Sequence, residues 1–201
     1  MNLKFQYNKT SLQALDKQLK MRLKAMPTLK NKESALRMEV KKARKKKQDL
    51  AARLDMVISQ QEDNLAMWNE FDESLLEVSD VKLNYRKIAG VTIPEPEEVI
   101  FRTAEYDLFL EPKWFPDGIE SLKEMIKLVI EKEMVEKQQL MLEYARKKTT
   151  QKVNLYEKVQ IPAYQEAILK IKRFLEDEDN LAKAAQKIVK TRQQKTAEAE
   201  L

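Results

Sequence analysis

Residues 36–54 read LRMEVKKARKKKQDLAARL, and this stretch decides the fold. One stripe of it recurs with alternating gaps of four and three residues, through Leu36, Val40, Ala43, Lys47, Leu50 and Leu54. That alternation is the heptad pattern of a coiled coil, and only Lys47 breaks its apolar character. The stretch therefore predicts a helix that packs along its length against a second helix.

The same spacing continues on both sides of this stretch. We call the whole stripe the first seam; its positions are Leu12, Leu15, Leu19, Arg22, Met26, Leu29, Glu33, Leu36, Val40, Ala43, Lys47, Leu50, Leu54, Val57, Gln61, Asn64, Trp68 and Phe71. Its polar members should weaken packing locally and can fix the alignment of the two helices. We predict one helix that opens at Thr10, with Gln13 in a capping box, and that runs to about Tyr85. Pro27 predicts a kink or a brief break near residues 25–27, because its ring clashes with the preceding turn.

An insert follows the first helix and spans about residues 85–118. It holds both glycines of the chain and four of its six prolines, Pro94, Pro96, Pro112 and Pro116. The stretches 88–93 and 99–101 are short and rich in β-branched and aromatic residues. They predict a small β-hairpin whose turn lies at residues 94–96.

A second long helix is predicted from Asp117, a good N-cap with Glu120 three residues on. Its apolar stripe is wide at first, drifts through the polar residues 131–152, and returns in Tyr164, Ala167, Ile171, Phe174, Leu181, Ala185 and Ile188. We expect looser pairing in residues 131–152, a bend at Pro162, and frayed ends in residues 193–201.

The predicted fold class is all-α: a long antiparallel two-helix coiled coil, or helical hairpin, with a small β-hairpin-containing insert at the bend. The predicted segments are the N-terminal helix (1–84), the insert (85–118) and the C-terminal helix (119–201). Each helix carries an apolar stripe that needs a partner, and the other terminal helix is the nearest one. Self-association is the other way to cover these stripes.

The composition excludes several kinds of chemistry. The chain of 201 residues has no Cys and no His, so disulfides, the usual zinc and haem ligands and a histidine base are excluded. Neither of its two glycines stands in a phosphate-binding loop. Glu97 with Glu98, and the acidic run at residues 176–179, are typical of solvated faces. We therefore predict no catalytic, metal or cofactor site. No stretch of about 18 apolar residues predicts a membrane span.

The net charge is +5, and its densest part is the basic band, which we define as Lys41, Lys42, Arg44, Lys45, Lys46 and Lys47. Such a band can meet phosphates or the carboxylates of a partner, although charge runs are more often solvated helix flanks. No aromatic residue interrupts it, which disfavours binding of single-stranded nucleic acid.

Three stretches resemble the D subunit of the V-type and A-type rotary ATPases. They are Asn8-Lys-Thr-Ser-Leu-x-x-Leu15, Lys87-Ile-Ala-Gly-Val-Thr-Ile-Pro94 and Lys152-Val-Asn-Leu-Tyr-Glu-Lys-Val-Gln-Ile-Pro162. The resemblance covers nearly the whole chain, and the third stretch is its most specific part. Pro27 and the region of Trp114 depart from the pattern of many members.

This resemblance implies a rotor shaft in the central stalk that binds no nucleotide and has no catalytic role of its own. Its terminal ends would enter a ring of catalytic A and non-catalytic B subunits. Its insert would lie nearer the membrane, where the F and C (also called d) subunits join the stalk. Such a shaft couples ATP turnover to proton or sodium movement, as a peripheral part of a membrane complex on the cytoplasmic face. We expect the basic band and the paired C-terminal face to form part of the ring contact.

Two other classes of function fit the periodicity alone. One is a stand-alone coiled-coil adaptor or chaperone. The other is a coiled-coil nucleic-acid-binding protein that uses the basic band.

Overall fold

The computed structural model describes residues 3–61, 65–105 and 112–199, and most of these residues are helical. In chain order the elements are α1 (Lys9–Gln61), α2 (Leu65–Trp68), a 3₁₀ turn (Glu73–Leu75), β1 (Leu76–Ile88), β2 (Val91–Thr103), α3 (Phe115–Asn154), a π-helical turn (Leu155–Gln160) and α4 (Ile161–Ala199). The chain divides into two compact units. We call Met1–Asn31 with Thr150–Leu201 the terminal unit, and Lys32–Thr149 the central unit.

Helix pairing is antiparallel within each unit. In the central unit, Gln61 donates to Ser121 and Lys47 donates to Glu136, so partner numbers rise as α1 numbers fall. In the terminal unit the same order holds, because Lys30 bonds to Glu157 and Arg22 to Gln160. The predicted fold class, a helical hairpin with a small β-hairpin between its helices, is confirmed.

The first seam is also confirmed along α1. Each of its positions from Leu12 to Gln61 is buried or half-buried, and Leu36 is fully covered. Three of its polar members, Arg22, Lys47 and Gln61, bond to side chains of the partner helix. Asn64 lies outside the described residues.

The first helix begins two residues earlier than its capping pattern predicted. The Ser11 N–H donates to the Asn8 side-chain oxygen at 2.7 Å, and the Leu12 N–H donates to the Asn8 carbonyl. Asn8 is thus the N-cap, and the prediction of Thr10 was wrong. Asn ranks with Asp and Ser among the best N-caps because its oxygen satisfies an N–H that the helix leaves unpaired.

The helix also ends earlier than predicted, at Gln61 and not near Tyr85. Residues 76–88, which fall largely in the predicted N-terminal segment, form strand β1. The seam stops at Phe71, and beyond it β-branched and aromatic residues such as Val78, Val81 and Tyr85 favour a strand over a helix. Pairing with β2 supplies the backbone hydrogen bonds that the helix would have made.

The β-hairpin is confirmed, but its turn lies at Ala89–Gly90 and not at residues 94–96. Ile88 pairs with Val91, and both turn residues have positive φ, 47° at Ala89 and 79° at Gly90. A two-residue hairpin turn of this type needs that conformation, which glycine adopts without steric cost. The two prolines lie within β2, where an edge strand tolerates a missing donor.

The hairpin is anchored on the helices of the central unit by Ile93. This side chain is 2% exposed and belongs to a buried cluster with Leu36, Val40, Ala43 and Leu142. The amide of Gln138 also donates to the carbonyl of Pro94. Strand β2 therefore packs against the helices, while β1 is exposed at most of its positions.

Aromatic rings cluster where α3 begins. Trp68, Phe71, Trp114 and Phe115 meet in pairs, with ring centroids 5.0 to 6.1 Å apart. Gly118 lies beneath the Trp114 ring, where a Cβ would come within 2.7 Å of a ring carbon. Helix α3 starts at Phe115, so the prediction of a start at Asp117 was wrong by a few residues.

The polar middle of the second helix packs better than predicted. Val135, Leu142 and Thr149 are all at least nine-tenths buried, and they stand seven residues apart. Their regular spacing contradicts the looser pairing expected for residues 131–152. Charged neighbours obscured a narrow seam that holds only one fully buried side chain per heptad.

The two prolines within the long helices differ in their position and in the backbone around them. Helix α1 continues through Pro27 without a break. Pro162 follows the π-helical turn and stands at the second residue of α4. Helix α4 remains helical to Ala199, so the frayed end predicted from residue 193 is wrong over the described residues.

Candidate functional site

The basic band is largely engaged within the central unit. Arg44, Lys46 and Lys47 form ion pairs with Glu143, Glu131 and Glu136 of α3, at 2.6 to 2.7 Å. Lys42 pairs with Glu39 on its own helix. Among the residues that the structure describes, only Lys41 and Lys45 of the band are exposed without an ion pair. Three of the six basic side chains thus join the two helices, and four of the six are paired with carboxylates, which disfavours binding of nucleic acid.

A second surface lies at the C-terminal end of the terminal unit. In α4, every side chain from residue 176 to residue 194 is exposed. These include apolar side chains that a solvated helix would not need: Leu181, Ile188 and Val189, exposed by 72%, 55% and 53%. We call Leu181, Ala185, Ile188 and Val189 the α4 stripe. Their spacing places them on one helix face.

Over the residues that the structure describes, nothing covers the α4 stripe, because the pairing of α4 with the N-terminal segment ends near Phe174. The Tyr7 ring lies 4.9 Å from the Phe174 ring, centroid to centroid, and Tyr7 precedes the first residue of α1. The predicted pairing of Leu181, Ala185 and Ile188 with the first helix is therefore wrong. About 25 residues of α4 follow Phe174, which is on the order of 37 Å of helix.

Within residues 3–61, 65–105 and 112–199, no group of acidic side chains is arranged to hold a metal ion. In the same ranges, none of the helices combines the length and apolar character needed to cross a bilayer.

Comparison with known proteins decides the family. A family model for the D subunit of ATP synthase matches residues 11–191. The chain is similar to the V-type ATP synthase D subunit of Borreliella burgdorferi, with 31% identity over 195 residues that cover 94% of both chains. It is also similar to that of Chlamydia trachomatis serovar L2, with 28% identity over 186 residues that cover 88% of this chain and 90% of the relative. The corresponding protein of Chlamydia pneumoniae is 30% identical over 173 residues, or 81% of each chain.

The chain belongs to the D-subunit family of ATP synthases. It is accordingly a central-stalk subunit of a rotary ATPase. The resemblance noted in three sequence stretches is confirmed, and the adaptor and nucleic-acid-binding alternatives are not favoured.

The three stretches that carried the D-subunit resemblance lie where the backbone departs from a regular helix or strand. Asn8–Leu15 contains the N-cap and first turns of α1. Residues 87–94 form the tip of the hairpin, with its turn at Ala89–Gly90 and its anchor Ile93. Residues 152–162 contain the π-helical turn and Pro162. The side chains that best mark the family here shape the fold of the D subunit.

The ion pairs of this D subunit also set a pH dependence. Hydrogen bonds from Arg44 and Gln139 hold the pKa of Glu143 below its usual value. Lys47 lowers the pKa of Glu136 in the same way. A carboxyl group with a depressed pKa stabilises the fold above its unfolded-state pKa, and this contribution is lost as the pH falls through the folded-state value.

We expect Glu143→Gln to flatten the loss of stability between about pH 5 and pH 3, because the substituted side chain no longer titrates. At neutral pH the cost should be small, about 0.2–1 kcal/mol, since Arg44 is largely exposed. Urea unfolding at several pH values measures both effects. Glu133→Gln is the control, because Glu133 is exposed on the same helix and has no ion pair in the described part of the chain. Equal pH slopes for the two variants would contradict this role of Glu143.

Proposed function

We propose that this chain is the non-catalytic rotor shaft of a V-type rotary ATPase. It passes torque between ATP hydrolysis or synthesis in a ring of A and B subunits and proton or sodium transport in a membrane rotor. Its match to the D-subunit family over residues 11–191 is the observation that carries this proposal. The shaft lies at the cytoplasmic face of the membrane, where it is held only through its partners.

The proposed division of labour follows three segments. The N-terminal segment (1–84) and the C-terminal segment (119–201) supply the helices of the shaft. The insert (85–118) faces the membrane side, where the F and C (or d) subunits join the stalk. The exposed α4 stripe supports contact between the C-terminal part of α4 and the A and B ring, because an apolar stripe exposed on a helix favours a protein partner.

The antiparallel helices suit a shaft for a physical reason. Twisting one helix requires its side chains to leave the seam, and the seam of the central unit contains fully covered side chains such as Leu36 and Leu142. The ion pairs along its flank add only modest energy, but they resist sliding of one helix along the other.

Reconstitution tests the proposal. The chain is co-expressed with the A, B, F and C (or d) subunits and the membrane rotor, and the complex is purified by a tag on the A subunits. We expect this chain to co-purify in a ratio of one to each ring, and ATP-driven ion transport to be lost when it is left out. An assembly that pumps ions equally well without the chain would overturn the proposal. Retained ATP hydrolysis with lost transport would support it, because the ring alone carries the catalytic sites.

A further inference from the structure

The π-helical turn Leu155–Gln160 is an irregularity in an otherwise continuous helical segment. At its end the Ile161 N–H donates to the Tyr156 carbonyl, five residues back and not four. None of its six side chains is fully buried. Pro162 follows directly and is exposed. Turns of this kind are rare and mark places where a helix accommodates an additional residue.

The covered side chains of the second helix show where an additional residue enters. In the terminal unit most of them fall on two tracks, with Ile161, Ala163 and Ala167 beside them: Val153, Gln160, Ile168 and Leu175 on one, and Tyr156, Tyr164 and Ile171 on the other. The first track advances by seven, eight and seven residues, and the second by eight and seven. Each track therefore contains one step that is a residue too long. Both long steps include residues 161–163.

The partner helix has no such step. In the terminal unit the first seam advances through Leu12, Leu15, Leu19, Arg22, Met26 and Leu29, by three and four residues in strict alternation. All six positions are buried or half-buried. One additional residue in a regular α-helix turns everything after it by about 100°, which would carry Tyr164 and Ile171 out of the seam. The additional residue must therefore be absorbed before Tyr164.

Arg22 shows that residues within the π-helical turn and after it share a face. Its guanidinium carbon lies 5.8 Å from the centre of the Tyr156 ring and 4.5 Å from the centre of the Tyr164 ring. Its Nε also donates to the Gln160 side chain at 2.6 Å. One side chain of α1 thus faces Tyr156 and Gln160 within the π-helical turn and Tyr164 after it.

We propose that Pro162 is the additional residue and that the π-helical turn absorbs it, forming a built-in joint that keeps the seam in phase. Proline suits this place because it has no N–H to pair and its side chain faces solvent. Within the part of the helix that pairs with α1, the joint should open more easily than the regular turns beside it, since wide backbone turns without fully buried side chains open locally at low cost. If the chain is a rotor shaft, as proposed above, twisting would concentrate there.

Three variants of the full chain separate the additional residue from the proline ring. Deletion of Pro162 restores steps of seven residues on both tracks. Pro162→Ala removes the ring but keeps the additional residue. Deletion of Gln165, an exposed residue of α4, shortens the chain equally but puts Ala167 and Ile171 out of phase. Thermal melting and hydrogen exchange of the amides of residues 157–161 are measured for each variant.

We expect deletion of Pro162 to leave the melting temperature unchanged or higher and to slow exchange at these amides by at least about tenfold. Deletion of Gln165 should lower the melting temperature by at least about 5 °C. Pro162→Ala should keep the fast exchange. The proposal is overturned if deleting Pro162 destabilises the chain as much as deleting Gln165. It is also overturned if Pro162→Ala alone slows exchange to the level of the deletion. None of these measurements involves A or B subunits, so they are independent of the proposed function.

Discussion

Replacement of Leu36 by alanine is expected to lower the free energy of unfolding by about 2–5 kcal/mol. Leu36 is 0% exposed and is the centre of the cluster in which α1, β2 and α3 meet. Removing its branched end leaves a cavity between two helices and the hairpin, and three separate elements cannot all close on it. Urea unfolding followed by circular dichroism measures the loss.

Met38→Ala is the matched control for this prediction. Met38 lies two residues further along the same helix, and 61% of it is exposed. Its replacement should change the free energy of unfolding by about 0.5 kcal/mol or less. If both variants unfolded at the same urea concentration, the cluster around Leu36 would not be the core of the central unit.

The double substitution Leu181→Ser with Ile188→Ser is expected to weaken binding of the chain to an assembled A and B ring by at least about tenfold. Fully burying a leucine or isoleucine contributes about 1.5–3 kcal/mol, and about 1.4 kcal/mol corresponds to a factor of ten. The melting temperature of the isolated chain should not change, because both side chains are largely exposed in it. Surface-immobilised rings titrated with the chain measure the affinity.

Lys183→Ser with Lys190→Ser provides the control. Each lysine is two residues beyond a member of the pair above, which places it on the opposite side of the helix. This control should bind the ring with nearly unchanged affinity. If it weakened binding as much as the first pair did, charge and not the α4 stripe would make the contact.

Heptad spacing predicted most of the fold because it records which side chains are covered. The first seam was predicted correctly from Leu12 to Gln61, including its polar positions. The spacing does not record what covers a side chain. Leu181 and Ile188 continue the pattern of the second helix, yet they are exposed here. An apolar stripe is the same whether its partner is in its own chain or in another one.

Predictions from local sequence signals were wrong where two signals competed for the same feature. Pro94 and Pro96 are strong turn signals, and they displaced the weaker signal of Ala89–Gly90. The backbone conformation at Gly90 decided the matter, since positive φ suits glycine and is closed to proline. Similarly, many charged residues in 131–152 concealed Val135 and Leu142, because a narrow seam needs few apolar side chains. The aromatic cluster was missed because Trp68 and Phe71 precede the predicted insert, whereas Trp114 and Phe115 lie near its end.

The polar members of the first seam have a mechanical consequence. Two helices with heptad repeats could in principle jump lengthwise by seven residues and still match apolar side chains. Arg22 bonds to Gln160, and such a jump would set it against Val153 or Ile168. Gln61 bonds to Ser121, and it would meet Trp114 or Leu128. These polar contacts fix the lengthwise alignment of the paired helices. Each unit therefore resists sliding of one helix along the other, even under an axial load.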